Sequence, residues 1–206
     1  MVNRKKIQPL WREEGLKVPY KSKKKRRRGK GEIKLKAMQA NHVWAPDFQT
    51  DETSDGGQLR FFNVVDEYTK VNLLQYVDRS ITAVKVVASL DQIIAQRGEP
   101  QFVRLDNGPA FTADAIAKWC ADKTTKTNFI EPGSPWQNAY IESFNGRFRD
   151  EVLNVELFDS LLEARVVTQD WRSVYNTIRP HGSLGGLTPA EFAQICKDKE
   201  KETVTL

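Results

Sequence analysis

The sequence predicts an α/β fold, a mixed sheet with helices packed on its faces. Three observations carry this. Three short apolar runs separated by turn signals open the body of the chain, as in an antiparallel meander. Strand-like and helix-like runs then alternate, in the order β-β-β-α-β-α-β-α-α. The chain has 206 residues at 39% hydrophobic, with five Trp, five Tyr and ten Phe, enough for one well-filled domain and an appendage.

The elements follow in order. Residues 43–51 read as a strand, Asp55-Gly56-Gly57 as a hairpin turn, and 60–66 and 71–77 as two further strands. Residues 82–97 place Val86, Leu90, Ile93 and Ile94 on one helical face, with Gly98 as the stop. Phe102–Leu105 is the fourth strand, Thr112 is expected to cap a helix over 113–122, and 127–130 form the fifth strand. A long helix is expected from about Trp136 to Val152, and another over 161–177 with Ala164, Val167, Trp171 and Tyr175 at intervals of three or four.

Charge divides the chain unevenly. Residues 1–36 hold 15 Lys/Arg and 3 Glu, leaving 17 basic and 24 acidic residues for the remainder. A basic arm is thus joined to a mildly acidic body. Residues 21–30 carry eight Lys/Arg, among them Lys23, Lys24, Lys25, Arg26, Arg27 and Arg28. Like charges with nothing apolar to bury form a flexible linker, and such a run suits phosphate contact through counterion release. No membrane span or signal peptide is expected, and Cys120 and Cys196 match neither a disulfide framework nor a zinc pattern. The compartment expected is a reducing cytoplasm.

Three carboxylates stand apart. Asp47 lies within the first strand, Asp106 at the end of the fourth, and Glu142 early in the long helix. Asp106-Asn107-Gly108-Pro109 is ordinary turn chemistry, which exposes Asp106 at a strand end. The fourth strand follows a helical crossover and can pair beside the first. That places Asp106 near Asp47, and a helix laid across the sheet adds Glu142. Three clustered carboxylates repel unless a hard divalent cation such as Mg²⁺ or Mn²⁺ fills the site. In the long helix Asn138, Glu142, Asn145 and Arg149 share one face, a polar stripe about 16 Å long suited to a phosphate backbone, with Ile141, Phe144 and Phe148 on the core side.

Thirty-five residues separate Asp106 from Glu142. With this spacing, five ordered blocks resemble the catalytic protein of bacterial insertion-sequence transposases, the OrfB type with a retroviral-integrase-like DDE core. They are VWAPDFQTDE (43–52), FFNVVDEYTK (61–70), RLDNGPAF (104–111), PGSPWQNAYIESFNGRFRDE (132–151) and YNTIRPHGSLGGLTPAEF (175–192). The resemblance implies an RNase H-like sheet of five strands with helices on both faces. Asp47, Asp106 and Glu142 would be the catalytic triad and ligands of two Mg²⁺ or Mn²⁺ ions, and Arg149 a DNA contact. The implied activity is DNA cleavage and strand transfer on transposon ends and target DNA, by a homo-oligomer in the bacterial cytoplasm, at the nucleoid. A small OrfA helix-turn-helix protein is the implied partner.

The expected organisation is a helix-turn-helix remnant over 1–20, a basic linker over 21–39, the catalytic core over 40–195 and a tail over 196–206. The family's usual Glu after Asn-Gly-Pro is Ala110 here, which puts a local DNA or loop contact in question and leaves the triad intact. Asp66 is read as a supporting residue, and His181 as ordering the C-terminal turn. The rival readings are a catalytically silent, truncated DNA-binding remnant, favoured by the short N-terminal region, and an RNase H-type nuclease, disfavoured by the 175–192 block.

Overall fold

A computed structural model describes residues 35–105, 110–130 and 138–204. The basic residues 23–28 and Asp106 lie outside the described residues. Strand β1 (Val43–Glu52) pairs antiparallel with β2 (Gln58–Asp66), and β2 pairs antiparallel with β3 (Asn72–Asp78). The helix α1 (Ala83–Arg97) then crosses over, and β4 (Phe102–Leu105) lies parallel to β1 on its other side. After α2 (Ala110–Ala121), β5 (Lys126–Phe129) adds parallel to β4. The sheet order is β3-β2-β1-β4-β5, so β4 beside β1 is as expected.

The rest of the chain is helical. Helix α3 spans Ala139–Phe148 and continues as a π-helical turn, Arg149–Leu153. Helix α4 (Leu161–Thr177), a short 3₁₀ turn (Gly182–Leu184) and α5 (Pro189–Val204) follow. Helix α5 runs straight through position 196, where the tail was expected to begin. Its start is a reciprocal cap, in which Thr188 N–H donates to Glu191 and Glu191 N–H to the Thr188 hydroxyl. At α4 the Glu163 N–H donates to the Ser160 hydroxyl, and the Glu163 carboxylate accepts from the Asp159 N–H one residue earlier.

Three local expectations shift. Helix α2 begins at Ala110, so Thr112 lies within it rather than capping it. Strand β5 is offset by one residue. The last turn of the long helix is widened, with Asn154 N–H reaching back to the Arg149 carbonyl. Val152 and Leu153 are both buried there, beside Phe148 and Phe158. The β1–β2 turn needs Gly56, held at φ +79°, and Gly57 leaves room for the Arg79 guanidinium, 2.3 Å from where a Cβ would sit.

Strand alternation divides the core into two layers. On one face Trp44, Phe62, Val64 and Val103 meet Val86, Leu90 and Ile93 of α1 and Ile116 and Trp119 of α2. On the other, Phe61 meets Phe148, and Ala45 and Val65 meet Ile141, Phe144 and Tyr175. Phe144, Trp171 and Tyr175 clamp α3 to α4 with ring centroids 5.1–5.5 Å apart. Fully burying each such ring contributes about 1.5–3 kcal/mol.

The free edge of the sheet at β3 is covered by α4. Arg165 donates to the Val77 carbonyl, Arg172 to those of Asn72 and Leu73, and Asn176 exchanges two hydrogen bonds with the Asn72 backbone.

Candidate active site

Ala45, Asp47 and Gln49 point to the α3 side of β1, because Trp44 and Phe48 pack on the α1 side. Asn63 lies directly opposite Asp47 on β2 and is fully buried. A polar residue in the run Phe61-Phe62-Asn63-Val64-Val65 is costly unless its amide is bonded. Its amide donates to Gln49 Oε1 at 3.0 Å and to Asn145 Oδ1 at 2.9 Å. Gln49 in turn donates to the Asn145 carbonyl at 3.0 Å. The Asn145 amide then donates to Asp47 Oδ2 at 2.6 Å. A closed amide ring therefore ties Asp47 to the sheet-facing side of α3. The other Asp47 oxygen accepts from the Phe48 N–H at 2.8 Å.

Glu142 lies three residues before Asn145, about 4.5 Å along the helix on the same side. It is exposed, on a helix whose Ile141, Phe144 and Phe148 are buried as expected. The polar stripe is less open than expected. Asn138 and Asn145 are 6% and 9% exposed, so two of its four members lie under cover. Asn145 donates to Asp47, because at 60° from Glu142 around the helix it falls where α3 meets the sheet. Arg149 remains exposed, with a long contact to the Thr50 carbonyl at 3.5 Å.

Gln49 and Asn63 were not singled out from sequence. The available signal was their strand phase, shared with Asp47. Arg104 was missed as well. It is 2% exposed and forks onto Glu67 at 2.5 and 3.1 Å, while also bonding Asn128 of β5 and the Leu35 carbonyl. Burial pushes the Glu67 carboxyl up, and Arg104 opposes that shift. The pair fixes β4 just before position 106. Asp66 is buried and receives the backbone N–H groups of Asn41, Tyr68 and Thr69, a supporting role in the turn after β2. His181 orders the C-terminal turn: its N–H donates to the Leu187 carbonyl, and its carbonyl accepts from Leu184 and Gly186.

Among the described residues no three His, Cys, Asp or Glu side chains gather as a metal site. The two described members of the expected triad do fit a hard divalent cation. Both are carboxylates, one part-exposed and one exposed, and carboxylate oxygens are what such ions take.

Sheet order and the two helical layers define an RNase H-like integrase core. The integrase core domain matches the chain over residues 37–135 and again over 123–189. A 39.2 kDa protein of insertion element IS476 from Xanthomonas euvesicatoria is 45% identical over 192 residues, covering 93% of this chain and 56% of that protein. A 31.7 kDa protein of IS407 from Burkholderia multivorans is 41% identical over 197 residues, covering 93% and 69%. The chain thus spans little more than half the length of the first of these relatives. The magnesium-bound HTLV-2 integrase catalytic core superposes with a TM-score of 0.56 at 16% identity, covering 77% of this chain and 99% of that one. A chain of the simian T-cell lymphotropic virus intasome gives 0.61 at 17%, covering 77% and 56%. The chain belongs to the insertion-sequence transposases with an integrase-like core.

Proposed function

We propose that this chain cleaves DNA at transposon ends and joins it to target DNA, using Asp47, Asp106 and Glu142 as its catalytic carboxylates. The observation that carries the reading is the 2.6 Å bond from Asn145 to Asp47. It sets Asp47 beside the helix that carries Glu142, in a chain of the integrase-core family. Asp47 and Glu142, with Asp106, would hold Mg²⁺ or Mn²⁺, which when bound supplies Lewis-acid activation of the attacking oxygen and stabilisation of the leaving one. The protein's own share is to hold Asp47 by its amide ring, and to present Glu142 and Arg149 toward the DNA. No helix among the described residues is long and apolar enough to cross a membrane. The reading places the protein in the bacterial cytoplasm at the nucleoid. It works there as a homo-oligomer joining two DNA ends, with an OrfA-type partner, its basic arm Lys23–Arg28 adding sequence-independent affinity.

The test compares Glu142→Gln with Arg149→Ala. DNA affinity is read in Ca²⁺, which supports no chemistry, and product formation in Mn²⁺. Glu142→Gln should bind DNA and form no product. Arg149→Ala should lose about 1–3 kcal/mol of DNA affinity and retain Mn²⁺ binding. An active Glu142→Gln variant would remove the assigned role. A wild-type chain that binds DNA and yields no product with any end sequence would be the silent DNA-binding protein instead.

A further inference from the structure

Helix α3 has a second charged face, turned away from Glu142. Tyr140, Arg147 and Glu151 follow one another along it, and Arg147 is about 140° around the helix from Glu142. Cations reach this face from three elements. Lys70, held at φ 62° in the turn after β2, sets its Nζ 3.3 Å from the centroid of the Tyr140 ring. Arg147 lies close enough to Tyr175 and His181 to act on both electrostatically. Arg179, beyond α4, pairs with Glu151 at 2.5 Å. From the level of Tyr140 to that of Glu151 is eleven helical steps, about 16 Å. All three cations are part-exposed. Three carboxylates oppose them: Glu151, which also accepts from Trp171; Asp66, buried behind Lys70; and Glu67, which acts on Lys70 while pairing with Arg104. Lys70 Nζ also donates to the Glu67 carbonyl.

His181 lies in the middle of the row. It is 5% exposed, with its ring edge-on to Tyr175 at 4.9 Å. Its Nε2 has no hydrogen-bond partner. Burial, Arg147, Arg179 and Lys70 all hold the ring in its neutral form. An anionic oxygen arriving here would cancel the field of the three cations.

We propose that Lys70, Arg147 and Arg179, with His181 between them, form a row that binds the phosphates of a DNA strand on the side of α3 opposite Glu142. A single small anion would need one focus, whereas three cations spread over about 16 Å match a strand carrying one charge per 3.4 Å of helix axis. The proposal rests on the DNA reading above and adds to it a second surface, distinct from the Asp47 and Glu142 face.

The experiment is fluorescence anisotropy of a labelled duplex with the full chain in Ca²⁺, titrated with KCl. Neutralising all three cations (Lys70→Gln, Arg147→Gln, Arg179→Gln) should lower the log–log salt slope by about 2.7, at 0.9 per phosphate contact. An unchanged slope at an unchanged melting temperature overturns the row. If the triple variant melts early, Glu151→Gln decides: it keeps an acceptor for Trp171, removes the opposing charge and should tighten DNA binding several-fold. Equal or weaker binding then overturns the proposal. So does inorganic phosphate that displaces the duplex better than chloride at equal ionic strength, since the row would then be a small-anion site. A wild-type chain with no salt-dependent DNA binding removes the DNA reading itself.

Discussion

Asn145→Asp keeps the shape of the side chain that holds Asp47 and reverses its electrostatics. An amide that donates to Asp47 Oδ2 at 2.6 Å becomes a carboxylate facing a carboxylate. Two unit charges about 4 Å apart repel by about 4 kcal/mol at an effective dielectric of 20. Asp47 is part-exposed, so solvent and a shared proton relieve some of this, and about 2 kcal/mol of net destabilisation at pH 7 is expected. For a unit of this size that lowers the melting temperature by about 4–8 °C. The loss should shrink when Mn²⁺ is added, because the new carboxylate enlarges the negative site that a divalent cation relieves. Asn145→Ala is the comparison. It removes two hydrogen bonds, one to a charged group, and should cost about 1–3 kcal/mol with no added response to Mn²⁺. The assay is thermal melting with and without Mn²⁺. An Asn145→Asp variant that melts like wild type, with no larger metal response, would refute the placing of Asp47 and Asn145 in one cation site.

Three further outcomes are expected. Deleting residues 21–30 should weaken binding to all DNA sequences alike and flatten its salt dependence, measured by the same anisotropy titration; an unchanged slope excludes the arm from phosphate contact. Arg104→Met alone should destabilise the fold by about 3–5 kcal/mol in urea titrations, since it strands Glu67 in the core, and Arg104→Met with Glu67→Leu should recover most of that. Lys85 donates to Asp78 at 2.6 Å and, with Tyr76 and the Arg79 N–H, holds the Asp78 carboxyl down at about 2. A depressed carboxyl stabilises the fold above its ordinary pKa near 4 and loses that contribution as pH falls toward 2. Lys85 is part-exposed, so Lys85→Met should lower stability slightly at pH 7 and leave it unchanged near pH 2, by denaturant titration at both.

The strand order was legible because a three-strand meander followed by crossovers leaves β4 one natural place, beside β1. The core side of α3 was legible too, since Ile141, Phe144 and Phe148 repeat at helical spacing. The stripe was only half legible. A helical wheel orders residues by angle and does not say where the sheet covers the arc, so Asn145 passed for a surface residue. Gln49 and Asn63 escaped notice because a polar residue in a strand is ordinarily read as facing water. Only the register, with Asn63 across from Asp47, shows it under the helix. The widened turn at Arg149–Leu153 has no local sequence mark that we can identify.

The covered edge at β3 has a consequence for how this protein meets other chains. Arg165, Arg172 and Asn176 occupy backbone carbonyls that an incoming strand would need, and the opposite edge, β5, offers only four residues. Growth of the sheet from one molecule into the next is therefore blocked at β3 and short-lived at β5. Association is left to side-chain surfaces. Under the DNA reading proposed above, assemblies built that way would come apart when the shared DNA is released, whereas strands zipped edge to edge would not.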